Sequence, residues 1–235
     1  MSLIWIDVHS LNAQDTLHPK YNIHLGYGAQ WPIATDLTKR FGQHGILSLG
    51  LNYIHKKWET GPACYFLFGS NVKEDVLSSL RSPDGELIGS DHQLAVVDLK
   101  MRGILIGWSI AREFNLNAQS MIVINLQPGW LAHWIKFQNP GNTFEPIQGD
   151  YRYGYDRLST GLAWTEGITY RYHSSNHLVN FELAAILTES NSRLNRNIQF
   201  GSPEIQKNIS SILFGIQGRW LIPIFPRKNA DHIYY

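Results

Sequence analysis

Six ionisable side chains, His24, Glu113, His133, Arg171, Glu182 and Arg219, fall on the polar parity of stretches whose other parity is apolar. Carboxylates, guanidiniums and imidazoles brought into one enclosed space could relay protons or line a path for small solutes. In an apolar enclosure such charges persist only when paired or hydrogen-bonded. The expectation is therefore an internal polar network that fills a bore and fixes its own side chains. Metal chemistry has less to draw on: no His-Glu-x-x-His spacing occurs, His24 and His133 lie on separate segments, and the single cysteine, Cys64, builds neither a disulfide nor a thiolate zinc site. No metal and no cofactor is expected. No Gly-x-Ser-x-Gly elbow is present either. What remains for catalysis is a loop with Ser90, Asp91 and His92, and a rim segment carrying Asp150, Arg152, Asp156 and Arg157. The two arginines suit lipopolysaccharide phosphates, or pair with the two aspartates.

The elements that position these groups are read from period-two alternation. From Tyr21 to Trp31 the odd residues are Tyr, Ile, Leu, Tyr, Ala and Trp, and the even ones Asn, His, Gly, Gly and Gln. The same split recurs around Leu47 to Tyr53, Ile104 to Ile110, Ser120 to Phe137, Leu158 to Tyr172, Leu178 to Thr188 and Ser211 to Phe225; a shorter run, Pro62 to Gly69, is apolar on both parities. That makes eight segments. The polar parity carries amides, histidine and glycine, which suits the lining of a narrow barrel better than the solvated face of a sandwich. Links alternate in length: short near Lys56 to Gly61, Asn115 to Gln119 and His173 to Asn176, long near Pro32 to His44, Ser70 to Val97, Gln138 to Arg157 and Glu189 to Ile209. Membrane barrels have this rhythm, with short periplasmic turns and long outer loops.

Composition agrees. Charged residues make up 17% and aromatics 12% of the 235 residues, and the net charge of +1 offers nucleic acid no basic field. No apolar run reaches the length of a spanning helix, so a chain that crosses a bilayer must do so as a closed barrel. Trp31, Trp58, Trp134, Tyr170 and Tyr172 stand at strand ends as girdle candidates. Glu166 breaks the pattern: it shares parity with Trp164 and Ile168, so a regular strand points it at lipid, and either a bulge, the simpler solution, or a covering protein partner is expected there. Val72 to Leu80 has helical spacing and reads as a short amphipathic cap. Residues 1–14 read as the remnant of an export signal without its basic region, leaving 15–235 as one barrel domain.

The set Phe68-Gly69-Ser-Asn-Val72-Lys-Glu-Asp-Val76, Ser82-Pro-Asp-Gly85, Arg102-Gly103, Gly154-Tyr-Asp-Arg-Leu158 and a closing Gly-x-x-x-x-Pro strand from Gly218 to Pro223 resembles small outer-membrane barrels of the Bacteroidota, over about Tyr21 to Phe225. The resemblance implies an outer-membrane location and a signal cleaved near Gln14. That group has no settled activity, so no functional residue is carried over. The expected protein is an all-β, up-and-down antiparallel transmembrane β-barrel of about eight strands in the bacterial outer membrane, in contact with its lipid and lipopolysaccharide. Its expected role is a non-enzymatic structural or accessory subunit of an envelope assembly, with a protein partner near Glu166. The alternative is a lipid-modifying or surface-ligand-binding barrel acting at its outer mouth.

Overall fold

The computed structural model describes residues 20–175, 179–196, 200 and 208–225; the export signal expected over 1–14 lies outside them. Eight strands, β1 (Tyr21–Pro32), β2 (His44–His55), β3 (Trp58–Gly69), β4 (Asp98–Asn115), β5 (Ser120–Gln138), β6 (Ser159–His173), β7 (Asn180–Leu194) and β8 (Asn208–Ile224), pair each with its neighbour in sequence. β8 pairs back onto β1 and closes the ring, so no edge is left with unsatisfied backbone groups. Alternation thus gives the fold class it predicts.

Every strand pair keeps one register from end to end, with no bulge among the described residues. Followed from partner to partner, the row starting at Tyr21 passes Tyr53, Thr60, Ile110, Leu126, Glu166, Leu187 and Phe214 and returns to β1 at Trp31, ten residues higher. Eight strands with that stagger tilt by about 40° and set a backbone radius of roughly 8 Å. Each residue then climbs ~2.5 Å along the axis.

Two strands are longer than the alternation suggests. β3 starts at Trp58 because only two residues, Lys56 and Lys57, separate it from β2. Pro62 lacks a ladder donor, and a Cβ on its neighbour Gly61 would lie 1.9 Å from the Leu51 carbonyl oxygen, so Gly-Pro here lets β2 approach and does not end the strand. β7 continues past Thr188 to Leu194, held by β6 on one side and β8 on the other. The helix expected over Val72–Leu80 does not form. Only Ser78–Leu80 makes a single 3-10 turn, and Val76 and Leu77 are buried by dipping into the mouth of the ring.

The interior has two halves, which corrects the expectation of a polar lining throughout. Toward the short turns it is ionic. Toward the long loops it is an apolar core in which Ile46, Leu67, Met101, Leu105, Leu131, Ile135 and Leu213 from the strands meet Leu37, Phe41, Val76, Leu77, Phe144 and Ile147 from three loops. The halves meet at Tyr65, whose hydroxyl donates to Gln127 Oε1 across 3.1 Å.

Candidate functional site

The ionic half is organised by Arg171 on β6. Its Nε donates to Glu182 Oε1 at 2.6 Å, Nη1 to Glu113 Oε1 at 2.7 Å and to Glu59 Oε1, and Nη2 to Glu59 Oε2 at 3.0 Å. The guanidinium thus joins β7, β4 and β3 across the bore. Asn52 Nδ2 donates to Glu59 at 3.1 Å, and Arg219 lies 3.5 Å from the other oxygen of Glu182 while its Nε reaches Gln217. His24 lines the same chamber; its ring fits because residue 50 is glycine, where a Cβ would come within 2.1 Å of the imidazole. His133 is not part of the network. It is fully buried in the other half, edge-on to Phe41 at 5.8 Å. Alternation placed its side chain inward but could not tell which layer it joins. Glu59, which anchors the network on β3, escapes sequence reading because Lys56 to Gly61 resembles a turn. The signal that finds it is its parity with Gly61, Ala63 and Tyr65 on a strand extended through Pro62.

Above the apolar core a second ionic knot closes the mouth. Glu74 accepts from Arg40 Nε at 2.7 Å and from Arg157 Nε at 2.9 Å, and Arg40 Nη1 also reaches Ser159 Oγ at 3.2 Å. Burial pulls Arg40 below its ordinary value while Glu74 beside it acts the other way, and arginine remains a cation throughout the physiological range. Arg157, expected at the exposed rim, is instead 1% exposed with φ of 53°, and it pairs with neither Asp150 nor Asp156. Asp156 is buried and takes Arg196. Asp150 and Arg152 are the rim residues that do face outward. With ionic contacts below, an apolar core between and this knot above, the purified barrel in a planar bilayer is expected to pass no steady ionic current; reproducible stepwise conductance would contradict the seal.

The outer surface is the reverse of a soluble protein's. Leu25, Leu47, Leu49, Ile106, Trp108, Ile168, Leu183 and Trp220 are each more than 45% exposed, and by the register they fall in depth between Tyr21 and Trp31. Below them runs an aromatic ring that includes Tyr21 against Tyr53 and Tyr172 against Phe181, each pair 5.4 Å apart; above them Trp31 stacks on Phe214 at 6.3 Å. The interval from Tyr21 to Trp31 corresponds to roughly 25 Å of height, the apolar band of a bacterial barrel. The chain is a transmembrane barrel of the outer-membrane type.

No protein-family model matches the chain, and no curated protein does. Among solved structures the barrel is similar to Neisserial surface protein A (10% identity, 86% of this chain and 96% of that one, TM-score 0.48). It is similar as well to Ail of Yersinia pestis (11% identity, 87% and 99%, TM-score 0.43) and to the outer membrane protein OprG from Pseudomonas aeruginosa (13%, 88% and 98%, TM-score 0.42).

Glu166 stands on the outside of this band. β6 pairs on without interruption from Leu126 to Glu166 to Leu187, so the expected bulge is absent and the carboxylate is exposed on the lipid side, with no ion pair among the described residues. By the climb along the strands it lies roughly 16 Å above Tyr21, inside the apolar band. It borders an open groove of about 750 Å³ floored by Ile124, Leu126, Ile168 and Ala185 and walled by Trp58, Phe114 and Phe214. Arg112 lines the groove's periplasmic end, its guanidinium 5.1 Å over the Trp58 ring and 5.7 Å from that of Phe114.

Proposed function

We propose that the chain is a sealed barrel of the bacterial outer membrane without catalytic chemistry of its own, a structural or accessory subunit that docks an envelope protein through the face of β4 to β7. The observation that carries this reading is the unpaired Glu166 carboxylate at mid-depth beside an apolar groove. Acyl chains supply no donor to a carboxylate, so in lipid alone this group destabilises the barrel. The occupant that satisfies it is an apolar membrane-embedded protein surface carrying a cation or hydrogen-bond donor at the same depth. A second copy fits less well. Side by side in one membrane, two copies oppose residues of equal depth, and Arg112 lies roughly 11 Å nearer the periplasm than Glu166. The ties to the Bacteroidota group read from the motifs belong to this proposal.

The test is the mass of the particle extracted from its own outer membrane in mild detergent, for wild type and Glu166→Leu, with heat-modifiable gel migration as the folding control. Wild type is expected as a particle of fixed stoichiometry containing one other membrane protein, and the leucine variant as a folded single barrel. The isolated variant should also unfold later, by about 1 to 2 kcal/mol, since a carboxylate costs somewhat less at mid-bilayer than a basic residue. A wild type that is already a lone barrel, a pair of identical barrels, or a particle unchanged by the substitution refutes the reading.

A further inference from the structure

We propose that the outer rim of β5 and the loop over residues 139–158 form a binding site for the phosphorylated headgroup of a glycolipid in the extracellular leaflet. Trp134 and Lys136 share the outward parity of Trp130 and stand about 10 and 15 Å above it along the axis, where headgroups begin. The loop folds down beside them: Ile135 N–H donates to the Asp156 carbonyl at 2.7 Å. Between strand and loop lies a cavity of about 450 Å³ lined by Trp134, Lys136, Arg152, Tyr153 and Arg196.

Two of the cations in this cavity, Arg152 and Arg196, are held in place before any ligand arrives. Arg152 and Arg196 lie over the Tyr153 ring at 4.9 and 4.4 Å, and Arg152 Nη2 donates to the Tyr153 hydroxyl at 3.0 Å. Arg196 is fixed by Asp156, with Nη2 to Oδ2 at 2.5 Å and Nε to Oδ1 at 3.1 Å. On β4, Arg102 stands directly opposite Trp134 in the register, and its Nη1 donates to the Met101 carbonyl at 2.7 Å. Arg102, Lys136 and Arg152 have no carboxylate within ion-pair distance among the described residues. The Arg152 guanidinium and the Lys136 ammonium present fork and point donors to a phosphate monoester, and Trp134 with Ile147 offers an apolar wall to the sugar and the first acyl carbons. A phosphorylated glycolipid carries anion and acyl chain in one molecule at one depth, which a soluble anion does not. This site is separate from the Glu166 face and rests only on the placement of the barrel in the membrane.

The experiment uses the full chain in phosphatidylcholine nanodiscs titrated with bisphosphorylated lipid A or its dephosphorylated form, with retained lipid read by native mass spectrometry. Lys136→Gln with Arg152→Gln removes two exposed cations that make no ion pair, and Lys39→Gln with Lys73→Gln makes the same charge change elsewhere on the loops. Wild type and the control pair are expected to retain the phosphorylated form roughly tenfold better than the dephosphorylated one, with the preference gone in Lys136→Gln/Arg152→Gln and unaffected by excess inorganic phosphate. Equal retention of the two lipids by wild type, equal loss in both double variants, or displacement of the lipid by inorganic phosphate overturns the proposal.

Discussion

Replacing Arg171 with methionine is expected to cost the folded barrel about 3 to 5 kcal/mol, because it leaves carboxylates in the bore without their cation. Glu59 and Glu182 are 1% and 3% exposed at the side chain, and no solvent replaces the guanidinium that serves both. The triple variant Arg171→Met with Glu59→Gln and Glu113→Gln should recover most of that loss, since Glu182 keeps Arg219 at 3.5 Å and no charge is left stranded. Urea unfolding of the refolded barrel in detergent, followed by tryptophan fluorescence, measures both. If the single variant unfolds at the wild-type midpoint, the bore contains enough water to screen its acids and the sealed lower half is wrong.

Glu74→Gln should act differently. Glu74 is 29% exposed, but it is the carboxylate on which Arg40 and the 1%-exposed Arg157 converge. Its loss is expected to weaken docking of the loop over 70–97 by about 2 to 3 kcal/mol, less than for a fully enclosed pair. The midpoint of the barrel should barely move, because strand pairing does not depend on the knot. Hydrogen exchange separates the two levels: faster exchange at Val76 and Leu77 with unchanged exchange in β4 and β5 is the expected pattern. Uniform acceleration would mean that the loop and the ring unfold as one unit.

The sequence made the ring legible because the same parity rule applies at every strand, and a one-residue slip would turn each lipid-facing row inward. It was less informative wherever a contact spans the chain. Val72 to Leu80 has helical spacing, but Val72 bridges Phe41, the Lys73 N–H donates to the Arg40 carbonyl at 2.8 Å and the Glu74 side chain takes Arg40 and Arg157, so its first residues pair with distant parts of the chain and not with one another. Local pattern likewise pairs Arg157 with its neighbour Asp156, whereas Asp156 is occupied by Arg196 and Arg157 by Glu74. Parity alone marks Glu166 as out of place, and a bulge is the simplest local remedy. The unbroken register with β5 and β7 removes that remedy and leaves the carboxylate outside. The basic cavity beside Tyr153 brings together Lys136 on β5, Arg152 from the loop after it and Arg196 from beyond β7, and nothing in the local pattern joins them.

The upper core also permits a particular order of assembly. Leu37 and Phe41, Val76 and Leu77, and Phe144 and Ile147 ride on three separate loops beyond the strand tops. Each of these loops has to cross the bilayer before it can turn back into the ring. The strands can pair and close before any of them arrives, and at that stage the ring is cross-braced at its lower end and full of water at its upper end. The last step is then a hydrophobic collapse of the kind that finishes a soluble domain, with water expelled from inside the wall while lipid covers the outside.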